Sequence, residues 1–544
     1  MADVNILTPE TLRAWYGLPG ELAVVDLREE IDFSTGHIFF SSCIPLSRIE
    51  LLIADRIPRF DTRVVIVDAP RAAPATHAEG ARRGARRLAE LGYTDVHVLG
   101  GGVEGWRAAG LPVYTGVHAP SKAFAEVIEE SLHTPAIDVE ELVRRQASGE
   151  PLVVVDSRTT DEYRRNTVPG AYGIPGADLL RCIRDLVPDD TTPVVVNCGG
   201  RTRSIIGAQA LLNGRLPNPV VSLRGGLLAW RLAGLEPEVG ADRVPVSPTD
   251  EALRWGQASA AALAERAGVR EIDAAGLAAF RADAARTTYL LDVRRPEAYE
   301  DGHLPGSLPA QGGQLVQETD SYAVVHGARV VLVDDGDLSQ ARLTGSWLVQ
   351  LGLKEVYVLS GGLGGHALKT GPHRPAVLGL RSVSTREQPE SPRTLFEKSK
   401  TETVAVIDIG LSARHREAHV PGAWLARRVE LETVIGDLPA DARIVLTSED
   451  GVLARIAAST LTAATARPVT WLKGGTAAWA EAGLPLETGA PRTLGQGGTD
   501  VWLSPTQRSG DQAAHAREYL DWELGLPAQV ARDPDVRFAP LALD

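Results

Sequence analysis

The stretch Pro193-Val194-Val195-Val196-Asn197-Cys198-Gly199-Gly200-Arg201-Thr202-Arg203, continuing as Ser204-Ile205-Ile206-Gly207-Ala208-Gln209-Ala210-Leu211-Leu212, decides how this chain reads. A β-branched run that follows a proline has the pattern of a short buried strand, and the last nine residues have that of a helix. Between them, a Gly-rich loop receives a thiol from the strand and passes it to the helix N-terminus. Backbone N–H groups, the positive end of the helix dipole and two guanidinium groups then surround one sulfur and favour its thiolate form. The same donors would hold an oxyanion directly over that sulfur. The expectation is nucleophilic sulfur chemistry, with Cys198 as the catalytic residue and Gly199, Gly200, Arg201, Thr202 and Arg203 as the substrate-binding loop.

Spacing separates two chemistries that share this design. Phosphatases with a cysteine nucleophile place five residues between cysteine and arginine, whereas here four separate Cys198 from Arg203 and Ser204 stands at the phosphatase arginine position. The shorter loop makes a smaller bowl, suited to a persulfide sulfur on the cysteine. In loop length, preceding strand and following helix, the segment resembles the rhodanese family of sulfurtransferases. Upstream, Leu152-Val153-Val154-Val155-Asp156-Ser157-Arg158, then Asp161-Glu162-Tyr163 and Val168-Pro169-Gly170-Ala171, resembles that family's N-terminal signature. Downstream, Leu223-Arg224-Gly225-Gly226 with Trp230 resembles its C-terminal one. One departure is Asn166-Thr167, which stands where the family often has Gly-His.

The frame recurs, so repeats come before any domain assignment. Strands ending in aspartate are expected at Val24-Val25-Asp26, Val154-Val155-Asp156, Leu290-Leu291-Asp292 and Val406-Ile407-Asp408. Glycine pairs follow at Gly101-Gly102, Gly225-Gly226, Gly361-Gly362 and Gly474-Gly475, with Trp106, Trp230 and Trp479 four residues after three of them. The repeats are about 110 to 140 residues apart, a single-domain length. The fold class expected is α/β, as four tandem rhodanese-like domains, each a mainly parallel sheet flanked by helices. The modules are placed at 1–118, 130–245, 265–375 and 380–490, with a C-terminal tail at 491–544.

The four loops differ in chemistry. Module one has Ala69 after Val64-Val65-Ile66-Val67-Asp68, module three has Asp335 after Val330-Val331-Leu332-Val333-Asp334, and module four has Ser448-Glu449-Asp450-Gly451. Module two alone keeps thiol and arginines, so the other three are expected to be inactive in sulfur transfer.

Charged residues make up 23% and hydrophobic ones 44% of 544 residues, ordinary usage for a soluble multidomain protein. No apolar run reaches the ~18 residues of a membrane span. The start, Met1-Ala2-Asp3-Val4-Asn5, lacks the pattern of a signal peptide. Three cysteines without a C-x-x-C pair support neither a disulfide framework nor a zinc site, and a cytoplasmic setting is expected. A net charge of −14 speaks against nucleic acid as a partner. Cys43 and Cys182 have no basic loop and read as structural. His37, His303 and His419 read as satisfied loop histidines, and Arg82 to Arg87 as a solvated helix face. Linkers are expected around Gly116 to Pro120, Glu236 to Asp250 and Gly371 to Pro392. The tail holds a candidate docking helix, Ala513 to Leu524, carrying Tyr519, Leu520, Trp522 and Leu524.

The resemblance implies ping-pong transfer without metal or organic cofactor: Cys198 takes sulfane sulfur from thiosulfate or a related persulfide and passes it to a thiol, a protein acceptor or cyanide. Two alternatives stand beside it. One is a cysteine phosphatase or arsenate reductase on the same scaffold. The other is a non-catalytic persulfide carrier in which three modules recruit partners.

Overall fold

The computed structural model describes residues 5–68, 74–245, 247–383 and 388–542. The chain divides into two compact units. One comprises Met1–Leu12, Val24–Val117 and Pro375–Leu503, and holds modules one and four. The other comprises Arg13–Ala23, His118–Arg374 and Ser504–Asp544, and holds modules two and three with the end of the chain.

In module two, five strands lie in one sheet: β1 (Ala136–Ile137), β2 (Val153–Asp156), β3 (Tyr172–Gly173), β4 (Val194–Asn197) and β5 (Val220–Leu223). Their order is β1-β5-β4-β2-β3, and every pairing is parallel. Parallel strands need crossovers, and the helices that supply them cover both faces. This is why β2 and β4 are buried at every position, including the side chains that would face water in a one-sided sheet. Val139, Leu142, Val154, Val195, Leu223 and Trp230 form the core on one face. Each such aliphatic side chain contributes about 1.5–3 kcal/mol by leaving water. Module three repeats the order, with Arg270–Ile272, Val356–Leu359, Arg329–Val333, Thr288–Asp292 and Leu308–Pro309 side by side and parallel.

In the other unit, module one pairs Val96–Leu99 with both Asn5–Leu7 and Arg63–Val67 in parallel. Module four sets Val404–Asp408 between Arg443–Thr447 and Trp424–Leu425, and extends the sheet with Arg492–Thr493. The α/β class expected from the alternating runs is therefore present in all four modules.

Among the described residues, the expected linkers carry no strand apart from single bridges. The sequence reading did not announce the helices that follow two of them, α1 (Ala119–Leu132) and Asp250–Ala267. The arginine run lies on the helix Pro74–Glu90. Arg82, Arg83 and Arg86 are exposed there, while Arg87 turns in to ion-pair with buried Glu50 at 2.8 Å. In the tail a helix does form, but it is longer than expected, spanning Gln512–Val530. Asp511 caps it by accepting the amides of Ala513 and Ala514 at 3.0 Å each. No helix among the described residues is long and apolar enough to cross a membrane.

Candidate functional site

Cys198 leaves the end of β4 and is 2% exposed, at the mouth of the loop that opens helix α2 (Thr202–Asn213). Its thiol donates to Ser204 Oγ at 3.5 Å, and that hydroxyl donates to the Arg201 carbonyl at 2.8 Å. Burial pushes the thiol up from its ordinary value. Arg203 and the hydroxyl and amide of Ser204 pull the other way, and Glu523 adds to the upward push. The site thus favours thiol, contrary to the expectation from the loop alone, because burial outweighs the pull of Arg203 and Ser204.

The loop is held from behind by the glycine pair of the downstream signature. Helix α3 (Gly226–Leu232) donates its Leu227 amide to the Cys198 carbonyl at 2.9 Å and its Leu228 amide to Gly199 at 3.0 Å. Gly226 adopts φ +52°, and a Cβ there would stand 2.5 Å from the carbonyl oxygens of both Cys198 and Gly200. Only glycine permits that approach. Trp230 donates its ring N–H to the Glu236 carbonyl at 3.1 Å, and the equivalent tryptophans of modules one and four do the same to Pro112 and Pro485, so this part of the signature is structural.

Both loop arginines are already engaged. Arg201, 4% exposed, donates to both oxygens of Glu126 at 2.7 Å and also binds Glu129, both on α1. Arg203 grips Glu162 at 2.7 and 2.8 Å and reaches Gln314 of module three at 3.3 Å. Burial opposes ionisation of Glu162, but Arg203 outweighs it and holds that carboxyl at about 2. Glu162 also closes a capping box with Thr159 at the start of the helix Thr160–Arg165. The motif residues Asp161-Glu162-Tyr163 thus carry the partner of the loop arginine.

Around this centre the strand-end aspartate organises the module. Arg158 Nη2 and Thr167 Oγ1 donate to Asp156 at 2.8 and 2.7 Å. Asp26–Arg28 and Asp292–Arg294 repeat the pair, whereas in module four His415 Nδ1 sits 2.8 Å from Asp408. Thr167 fills the place of His37, His303 and His419. Those three stack on Phe33, Tyr299 and His415 and bond local carbonyls, as expected of loop histidines.

Strand register corrects the alignment of the other loops. Asp156 pairs with Asn197, Asp292 with Val333 and Asp408 with Thr447. Cys198 therefore corresponds to Asp334 and to Ser448, and module three carries Asp334, not Asp335, at the cysteine position. In module one Val103 donates to the Asp68 carbonyl as Leu227 does to Cys198, so Asp68 holds that position; Ala69 and Pro70 lie outside the described residues. The one-residue slip arose in modules one and three because the Asp that follows each strand, Asp68 and Asp334, was matched to Asn197, the last residue of β4. Asp334 is instructive: its carboxylate accepts amides from Gly336, Leu338 and Ala341 at 3.0, 3.2 and 3.0 Å. The loop is a cradle of N–H groups, and in module three its own aspartate fills it.

Cys43 and Cys182 take no part. Burial pushes Cys43 well above its ordinary value and Cys182 up to about 12.

The sequence reading missed two residues of the site. Helix α4 (Gln512–Val530) lies on the loop, with Leu520 beside Gly225 and Tyr519 beside Gly200. Its Glu523 is 1% exposed and accepts from Tyr519 at 2.9 Å and Thr202 at 3.2 Å through one oxygen. The other oxygen has no partner and stands 3.2 Å from where a Gly200 Cβ would be. Burial raises this carboxyl to about 7. Lys122 of α1 is 3% exposed and belongs to the same electrostatic neighbourhood. Of the tail residues singled out from sequence, Tyr519 and Leu520 dock here while Leu524 is 55% exposed.

The profile of the family described as rhodanese-like domain matches residues 8–109, 138–233, 275–367 and 391–482. The crystal structure of thiosulfate sulfurtransferase from Pseudomonas aeruginosa superposes with a TM-score of 0.92 at 40% identity, covering 99% of this chain and 100% of that one. A curated sulfurtransferase of Allochromatium vinosum is 34% identical over 102 residues, 18% of this chain and 90% of that protein. An HTH-type transcriptional regulator of Mycobacterium tuberculosis is 36% identical over 107 residues, 20% of this chain, and the match spans 46% of the regulator's length.

Proposed function

The chain belongs to the rhodanese-like sulfurtransferase family, and from that premise we propose that it transfers sulfane sulfur from thiosulfate or a related persulfide donor through a persulfide on Cys198. The observation that carries this reading is the amide cradle of module three. Where Asp334 accepts three amide hydrogens, module two offers a thiol at the same strand-end position, in a loop that reaches its helix one residue sooner. At Asp334 the amides favour the carboxylate against a burial that raises it to about 6, and donors of that kind suit the anionic persulfide Cys198–S–S⁻.

In the first half-reaction the Cys198 thiolate attacks the outer sulfur of thiosulfate. The new Sγ–S bond forms as the donor S–S bond breaks, and the electron pair leaves with sulfite. In the second, an acceptor thiolate or cyanide takes that outer sulfur and the electron pair returns to Sγ. Arg203 favours the thiolate, and helix α2 presents its N-terminus to the charge. The acceptors are small thiols or a protein thiol, and three free cysteines fit a reducing, cytoplasmic setting.

The deciding measurement is intact-protein and peptide mass after incubation with thiosulfate. The expected result is one added sulfur on the Cys198 peptide, removed by cyanide with release of thiocyanate. No added sulfur on that peptide would overturn the reading.

A further inference from the structure

The two arginines of the Cys198 loop carry no free charge toward a ligand, since Glu126 and Glu129 neutralise Arg201 and Glu162 neutralises Arg203. An anionic donor needs a cation elsewhere. Among the described residues the ammonium of Lys122 has no hydrogen-bond or ion-pair partner, although the residue is 3% exposed. It stands four residues before Glu126 on α1, so the two share one helix face, the face that carries the grip on Arg201. A buried ammonium without a partner is costly, and natural folds retain one only where something offsets it.

Its surroundings point to the offset. Burial lowers Lys122, and the charges acting most strongly on it are Glu523 and Arg203, followed by Glu318 and Asp320 of module three. Glu523 and Arg203 are also the charged groups acting on the Cys198 sulfur. Glu523 in turn holds one carboxyl oxygen without a partner, aimed at Gly200 of the loop. The ammonium of Lys122, on the helix face that grips the loop through Arg201, and the partnerless oxygen of Glu523, aimed at Gly200, therefore belong to the same surroundings.

We propose that Lys122 receives the anionic, oxygen-bearing end of the sulfur donor at Cys198, with the free oxygen of Glu523 completing the contact as a protonated carboxyl. The ligand class is a sulfonate-type group, as in thiosulfate, whose oxygens accept from both while its outer sulfur meets the thiolate. The cation comes from the helix before module two and the carboxyl from the end of the chain, so the donor site extends beyond the module that holds the nucleophile. This inference rests on the sulfur-transfer reading for its choice of donor, while the anion site itself is testable without turnover.

The experiment uses the full chain and two readouts. One is the thiosulfate concentration that half-saturates persulfide formation on Cys198, followed by mass. The other is protection of Cys198 by inorganic sulfate against the neutral alkylating agent iodoacetamide. Removing one charge-assisted contact corresponds to roughly ten- to a hundredfold in affinity, so Lys122→Met is expected to raise both half-saturating concentrations by that factor, and Lys122→Arg to restore most of the loss. Should Lys122→Met fail to fold, Glu523→Gln serves. Its amide cannot compete as an anion for Lys122, so above pH 8 it is expected to tighten sulfate protection severalfold. Parent-like protection and half-saturation in a folded Lys122→Met, or unchanged sulfate protection in Glu523→Gln, would overturn the proposal. A parent protein that binds sulfate through Lys122 but gains no sulfur from thiosulfate would overturn the sulfur-transfer reading and leave the anion site standing.

Discussion

Gly226 approaches the Cys198 carbonyl so closely that a Cβ on it would stand 2.5 Å away, and Gly362 and Gly475 crowd Asp334 and Ser448 in the same way, at 2.4 and 2.0 Å. The glycine pair is thus a template for the loop. Gly226→Ala must move backbone on both sides and also strains a positive φ, at about 1–3 kcal/mol for the strain alone. Persulfide formation on Cys198 is expected to fall at least tenfold, with a lower thermal midpoint. Parent-like rates in this variant would show that the loop does not depend on its template.

The pairing of Arg203 with Glu162 predicts non-additive stability. Arg203→Ala leaves a half-buried carboxylate without its partner, a loss of about 1–3 kcal/mol for a charge-assisted contact. Arg203→Ala with Glu162→Gln removes the stranded charge and should recover part of that loss. Denaturant unfolding of the two single variants and the double variant measures it. Simple additivity would mean that the two groups do not act as a pair.

The parts of this architecture that are local in sequence were legible from it. Asp156 and Arg158 are two residues apart, Cys198 and Arg203 lie in one loop, and Gly226 and Trp230 lie on one helix, so pattern alone placed them. What Arg201, Arg203 and Thr202 reach outside the module's own motifs was not legible, because Glu126, Gln314 and Glu523 come from elements about 75 to 320 residues away in the chain and nothing in their neighbourhoods marks them. The one-residue slip at Asp334 has the same origin, since β-run ends look alike until inter-strand register fixes them. The raised thiol of Cys198 comes from burial and from Glu523 of α4, a helix that was expected to dock but whose docking site sequence could not give.

Selective labelling distinguishes the three cysteines. Cys182 sits at about 12 and Cys43 well above its ordinary value, both chiefly through burial, which Arg181 and Arg295 oppose at Cys182 and Arg56 at Cys43; Cys198 is raised as well, but Arg203 and Ser204 pull it down. Iodoacetamide at pH 8 should modify Cys198 at least tenfold faster than the other two, because thiolate fraction sets the rate. Cys43→Ser and Cys182→Ser should retain sulfur transfer, and Cys198→Ser should abolish it. Faster labelling of Cys43 or Cys182 in the folded protein would contradict the assignment of the nucleophile.

Glu523 makes folding stability depend on pH in a direction opposite to that of a salt-bridged carboxylate. Burial raises its folded-state value to about 7 from an ordinary 4.5, against the pull of Lys122 and Arg201 and with the help of Glu126. The folded chain therefore binds a proton that the unfolded chain has released between these values. The stability this provides is fully present below about pH 4.5 and is lost as the pH rises through 7, on the order of 3 kcal/mol in all. Glu523→Gln does not titrate, so its thermal midpoint relative to the parent should rise by several degrees between pH 5 and pH 8. Lys122→Met removes a charge that favours the carboxylate, and in that background the pH at which the Gln substitution begins to help should move upward. A parent-minus-variant difference that stays flat across this range would show that Glu523 is ionised throughout, and the neutral carboxyl beside the Cys198 loop would then have no basis.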